Sequence, residues 1–180
     1  MKPRHSNFVR DLVEYYLSET IHLTRPSAYL EMGIQKAITF NEVAVQFDKA
    51  VAVDVLPCGG IKLKDAQFFQ MDTDDFIKDV LPTLGLQFDI AFIDAGHGDL
   101  QVMRDFEGVF PHVKENGLIL LHDTYPQNEE YKSLSFCGTA YKTAWKIRQE
   151  WREKCEIVTL PIGHGLSLVR KADRQLMWEK

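Results

Sequence analysis

The stretch FDIAFIDAGHGDL, Phe88 to Leu100, carries the residue types most ready to do chemistry: an apolar run ending on Asp94, then His97 between two glycines. A carboxylate at the end of a buried strand places a charged acceptor at the rim of a sheet. An imidazole three residues on titrates near neutrality and can take a proton from a hydroxyl. The plainer alternative stands beside it: polar residues mark the turn after a strand, and His97 caps the next helix or bonds a loop carbonyl. Similar acids punctuate other apolar runs. Glu31 lies in SAYLEMG, Asp54 closes AVAVDV, Asp72 follows AQFFQM, and Asp123 follows NGLILLH. Acids at successive strand ends build a ligand cleft in an open α/β sheet, because such sheets bind outside the carboxyl ends of their strands.

Spacing narrows the ligand. Gly33 lets main chain approach a bound molecule without a Cβ in the way. Asp54 follows 21 residues later, near the distance at which a second-strand acid accepts hydrogen bonds from ribose hydroxyls. EMGIQKA holds one glycine, so the G-x-G-x-x-G cradle for a pyrophosphate is missing, and no G-x-x-x-x-G-K-[ST] loop is present. The expected ligand has a ribose and little or no phosphate, which disfavours a nicotinamide dehydrogenase.

The elements that must position these residues follow from periodicity. NFVRDLVEYYLSETIHL repeats apolar residues at Phe8, Leu12, Tyr16 and Ile21, flanked by Val9, Val13 and Leu17, as an amphipathic opening helix does. Strands are expected at SAYLE, AVAVD, AQFFQM, FDIAFID and NGLILLHD, the last opened by an Asn-Gly turn. Helices are expected at IQKAITFNEVAVQF, DTDDFIKDVLPTLG, GDLQVMRDFEGVFPHV and Thr139 to Lys154. LPCGGIKLKD is too broken by Pro57, Gly59 and Gly60 to be a helix. CEIVTLP and GLSLVRK lie too close together for a crossover, so they form an antiparallel hairpin. His164, in the turn between them, reads as a turn residue. The fold class is α/β: a mostly parallel seven-stranded sheet with a C-terminal antiparallel hairpin and helices on both faces.

Bulk properties exclude several roles. A chain of 180 residues with 45% apolar and 26% charged content suits one domain, and a net charge of -5 argues against a nucleic-acid partner. The basic residues from Tyr141 to Lys154 are interrupted by glutamates, as on a solvated helix face. Charges run through the apolar positions of the amino terminus, so neither a signal peptide nor a membrane span is expected. Cys58, Cys137 and Cys155 lack metal-type spacing and fit a reducing, cytoplasmic setting.

YLEMGIQKA, AVAVDV, FFQMDTDDFI, FDIAFIDAGHGD and NGLILLHDT, taken in order, resemble class I S-adenosylmethionine-dependent methyltransferases, nearest the branch of macrocin O-methyltransferase and cephalosporin hydroxylase. The resemblance runs from about Ala28 to Lys171. It implies a Rossmann-like methyltransferase fold in one domain, 1–180, with an N-terminal helix in 1–25, a core in 26–171 and a tail in 172–180. It implies S-adenosyl-L-methionine as cofactor and O-methylation of a small-molecule or sugar-like acceptor. The alternative is a catalytically silent member with a cofactor-binding, regulatory or assembly role.

By position, Glu31 and Gly33 would line the methionine part of the cofactor, Asp54 would bind the ribose, and Asp72 with Thr73 would lie near the adenine. Asp94 would face the methionine amino group or the transfer centre, and His97 would be the base. One departure is that Ala37 stands where the family usually has a second glycine. Some relatives hold magnesium after the fourth and fifth strands, here Asp94 and the His122-Asp123 pair. Successive strand residues point to opposite faces unless the strand has ended, so an obligatory metal is not expected; if Mg²⁺ binds, Asp94 and Asp123 hold it. The acceptor would meet the opening helix and the Thr124 to Gly138 loop, where a neighbouring subunit of a homo-oligomer could contribute.

Overall fold

Continuous apolar runs make the central strands, and both of their faces are covered. The computed structural model describes residues 5–19 and 26–172, with elements α1 (His5–Glu19), β1 (Ala28–Met32), α2 (Ile38–Val43), β2 (Lys49–Asp54), β3 (Gln67–Gln70), α3 (Thr73–Asp75), β4 (Phe88–Ile93), α4 (Asp99–Val109), β5 (Val113–His122), α5 (Ala140–Glu150), β6 (Cys155–Leu160) and β7 (Leu166–Lys171). One sheet has the order β3-β2-β1-β4-β5-β7-β6. Strands β1 to β5 pair in parallel, while β7 runs antiparallel between β5 and β6. The single reversed strand expected from the short final connection is present.

Strand alternation divides the core into two. Leu30, Met32, Val51, Val53, Ala91, Ile93, Ile119 and Leu121 pack beneath α4 and α5. Tyr29, Ala50, Ala52, Ile90, Phe92, Leu118 and Leu120 face α1 and α2. Helix α1 contributes Val9 and Val13, both fully buried, whereas Phe8 is exposed. Ile21, expected on the same stripe, lies outside the described residues.

Several elements are shorter than their sequence patterns. β-Branched residues limit α2 to six residues and one further 3₁₀ turn. The segment after β3 has one α-helical turn, then a wide π-type turn over Phe76–Val80 and a tight one over Leu81–Thr83, where Pro82 lacks an amide donor. Strand β5 begins at Val113, not at the Asn-Gly pair. Asn116 takes a left-handed φ of 65° and the pairing with β4 shifts register nearby, so Asn-Gly makes an irregularity inside the strand. Residues 55–66 form a loop between β2 and β3, as Pro57, Gly59 and Gly60 imply.

Candidate active site

At the carboxyl ends of β1 and β4 a cavity of roughly 290 Å³ is lined by Glu31, Gly33, Ile34, Gln35 and Asp94, with Ser6 of α1 and Thr39 of α2 opposite. Gly33 has φ 86°, and a Cβ there would run into the Asp94 carbonyl oxygen. Only glycine meets both conditions, so this close approach of β1 to β4 explains its place. The amide of Asp94 donates to the Met32 carbonyl at 2.9 Å and that of Gly33 to Val53 at 2.8 Å, extending the ladder to the cavity wall.

Asp54, buried at the end of β2, is engaged by main chain. Its Oδ2 accepts from the amides of Ile34 (2.9 Å) and Gln35 (2.8 Å), and its Oδ1 from Leu56 (2.9 Å). It therefore secures the loop that forms the cavity, a duty the ribose assignment alone did not include. That loop is unusually strained: Gly33, Gln35 and Ala37 all have positive φ, Ala37 at 55° just before α2. Ala37 holds the backbone shape a glycine would take without cost. Beyond Asp54, Val55 (58% exposed) and Leu56 (63%) present apolar surface to solvent.

Asp72 and Thr73 stand apart from this cavity. Asp72 caps α3, its side chain accepting from the Asp74 amide at 2.8 Å, and buried Thr73 accepts from Gln101 Nε2 at 2.9 Å. The helix-cap reading accounts for Asp72.

Glu31 lies on the α1 and α2 face of the sheet, almost fully buried, and Tyr29 Oη donates to its Oε2 at 2.6 Å. Burial pushes its pKa to about 8; the Tyr29 hydrogen bond opposes the rise and the Asp94 charge adds to it. Tyr29 escaped the sequence reading because a strand tyrosine reads as core.

At the end of β5, imidazoles gather around one carboxylate. His97 Nε2 lies 3.4 Å from Asp123 Oδ2; His122 Nδ1 lies 3.0 Å from Asp94 Oδ1 and 3.3 Å from Asp123 Oδ1. His164 Nδ1 lies 3.4 Å from Asp123 Oδ1. The alternation rule, which separated His122 from Asp123, fails here because the strand has ended: Asp123 has φ 61°, and its side chain turns back toward His122. Burial opposes a charge on His122, but the Asp123 and Asp94 carboxylates outweigh it and hold the imidazole protonated up to about 10. This ring lies between the two carboxylates proposed for magnesium, 3.0 Å from Asp94 Oδ1 and 3.3 Å from Asp123 Oδ1, and offsets part of their charge. Asp94, His97 and Asp123 place ligand atoms within 4.8 Å of one another, a set with two carboxylates and one imidazole where Mg²⁺ prefers oxygen donors throughout.

The cap reading of His97 finds no support in its side chain. Gly98 is the N-cap of α4, and the Asp99 amide bonds Thr139 Oγ1 at 2.9 Å. The His97 carbonyl accepts from the Thr139 amide at 2.8 Å, which leaves the ring directed at Asp123. His164 is a turn residue, as expected, and also part of this cluster; its ring packs edge-on against Tyr131 at 5.0 Å. A groove of roughly 1480 Å³ starts at Thr124 and Tyr125 and runs along α1, Tyr141 and the β6–β7 face. Neither Asp94 nor Asp123 lines it; Thr124, next to Asp123 in the chain, does. Among the described residues no helix is long and apolar enough to cross a membrane.

Residues 39–124 match the model of a family described as a methyltransferase domain. No curated protein sequence matches the chain. Among solved structures, a Corynebacterium glutamicum protein superposes with a TM-score of 0.70 at 14% identity, covering 94% of this chain and 83% of its own. The S-adenosylhomocysteine-bound methyltransferase PaMTH1 of Podospora anserina gives 0.61 at 15%, covering 95% and 89%. The MycE methyltransferase of the mycinamycin biosynthetic pathway, solved with Mg, S-adenosylhomocysteine and mycinamycin VI, gives 0.62 at 17%, covering 92% of this chain and 48% of MycE. These likenesses establish the Rossmann-like methyltransferase fold.

Proposed function

We propose that this chain is an S-adenosylmethionine-dependent methyltransferase acting on a hydroxyl of a small-molecule or sugar-like acceptor. The observation that carries the reading is the convergence of Glu31, Gly33 and Asp94 on one cavity, with Asp54 holding its loop from beneath. Carboxyl groups and a glycine-permitted main-chain approach suit a ligand that is cationic at one end and carries a ribose. The exposed Val55 and Leu56 supply an apolar rest for a base beyond Asp54. When bound, S-adenosylmethionine supplies a methyl already activated by its sulfonium.

The protein's share of the chemistry is then alignment and one proton. Asp94 faces the cavity on one side and the histidine cluster on the other, so it joins cofactor to acceptor. His97 is placed to take the proton of the acceptor hydroxyl. Asp123 Oδ2, 3.4 Å from Nε2, orients that ring and stabilises it once charged. His122 offsets part of the charge of the neighbouring carboxylates. The acceptor enters beside Thr124 and Tyr125, between α1 and Tyr141.

Calorimetric titration of the full chain with S-adenosylhomocysteine, followed by mass analysis of hydroxyl acceptors incubated with S-adenosylmethionine, tests the reading. Saturable binding with a methylated hydroxyl is expected. Absence of binding would overturn it, and binding without turnover across a broad panel would favour the silent alternative.

A further inference from the structure

Asp123 has two oxygens with different fates. Oδ2 faces His97, whereas buried Oδ1, with His122 Nδ1 at 3.3 Å and His164 Nδ1 at 3.4 Å, accepts a well-aligned hydrogen bond from neither. The Nδ1–H of His122 is directed at Asp94 instead. An orphaned carboxylate oxygen in the interior costs about 1–3 kcal/mol or more, so a native structure keeps one for a reason. Two further ligating side chains surround it. Donor atoms of Asp123, Cys137 and His164 all lie within 4.8 Å of one another. His164 Nδ1 and Asp123 Oδ1, at 3.4 Å, already have the separation of two ligands on one tetrahedral zinc ion, about 3.3 Å for bonds near 2.0 Å.

We propose that Asp123, Cys137 and His164 form a binding site for a borderline-soft divalent transition ion, Zn²⁺ above all. The three residues come from the end of β5, the loop before α5 and the β6–β7 turn, and main-chain bonds tie these segments together. The Tyr125 amide donates to the His164 carbonyl at 2.9 Å, the Cys137 amide to Tyr131 at 2.9 Å and the Thr139 amide to His97 at 2.8 Å. Gly165 and Gly138 take left-handed φ because a Cβ would strike Tyr125 and His97 respectively. The donors are thus held before any ion arrives.

A thiol, an imidazole and a carboxylate match zinc and not magnesium, which takes oxygen donors. On binding, the thiol proton leaves to solvent and sulfur bonds the metal as thiolate. Three protein ligands leave one coordination position for water or an acceptor oxygen. His164, 40% exposed, gives the ion its way in.

Cobalt reports the coordination independently of methyl transfer. The chelator-stripped full chain, titrated with Co²⁺, should take up one equivalent and develop a thiolate-to-cobalt charge-transfer band. Zn²⁺ should bleach that band and Mg²⁺ should not. Cys137→Ser should abolish the band and Cys155→Ser should retain it. His164→Gln, altering a half-exposed side chain, should weaken affinity by more than the ~10–100-fold typical of an outer-sphere partner. A missing band, a band surviving Cys137→Ser, or equal displacement by Mg²⁺ would overturn the proposal. Titration of the same stripped protein with S-adenosylhomocysteine separates a failed metal site from a failed cofactor site.

Discussion

Glu31→Gln tests the electrostatics of the cofactor cavity most directly. Glu31 is an acid whose folded form holds its proton from its ordinary 4.5 up to about 8, mainly because burial disfavours the charge. Below pH 4.5 folded and unfolded chains are both protonated, and the group contributes nothing to pH dependence. Between 4.5 and about 8 the unfolded chain has released the proton and the folded chain retains it, so stability falls by about 1.4 kcal/mol per pH unit. Above pH 8 the slope vanishes. Over the roughly 3.5 pH units between the two values the loss approaches about 5 kcal/mol.

Glutamine keeps the carbonyl oxygen that accepts from Tyr29 but cannot ionise. The variant should therefore match the parent near pH 4.5, apart from a constant offset, and gain on it steadily toward pH 8. Urea denaturation of both proteins across this range, without cofactor, measures the difference. Parallel curves would show that Glu31 ionises like a surface acid and that the cavity is wetter than its burial indicates. Saturating S-adenosylmethionine, whose ammonium favours the carboxylate, should flatten the parent's slope.

Other perturbations read different parts of the site. Gly33→Ala should cost about 1–3 kcal/mol for the backbone alone, with the clash against Asp94 added; chemical denaturation checks this, and a neutral outcome would mean that β1 and β4 can part. Ala37→Gly should stabilise by about 0.5–1 kcal/mol, the relief of a left-handed alanine less the entropy of glycine, visible as a higher midpoint in the same assay. Asp54→Ala removes three amide acceptors and should lower cofactor affinity at least tenfold, about 1.4 kcal/mol, by calorimetry; unchanged affinity removes Asp54 from the site. His97→Ala should reduce turnover by about 10²–10⁴ with cofactor affinity preserved, and equal rates would return His97 to a structural role.

The acids at the strand ends were legible because an apolar run closed by a carboxylate is a local signal, and Glu31, Asp54 and Asp94 occupy the rim it implies. The hairpin was legible from connection length alone. Local reasoning failed where one residue changes backbone region: left-handed Asp123 undoes the alternation that set it apart from His122, and left-handed Asn116 lets a strand begin three residues early. Cys137 and His164 join Asp123 from loops distant in sequence, which no spacing rule connects. Asp72 shows a local signal with two outcomes, since an acid after a strand also caps the following helix, as its bond from the Asp74 amide does.

The position of β7 bears on how the protein is made. Leu166 to Arg170 pair with β5 and with β6 together, so the last strand among the described residues is an interior one. During synthesis β1 to β5 can assemble as they emerge, yet β5 keeps an open edge until β7 is released to fill it. A ribosome stalled before Leu166 would hold a nearly complete sheet with its sticky side uncovered, the species on which chaperones would be expected to act.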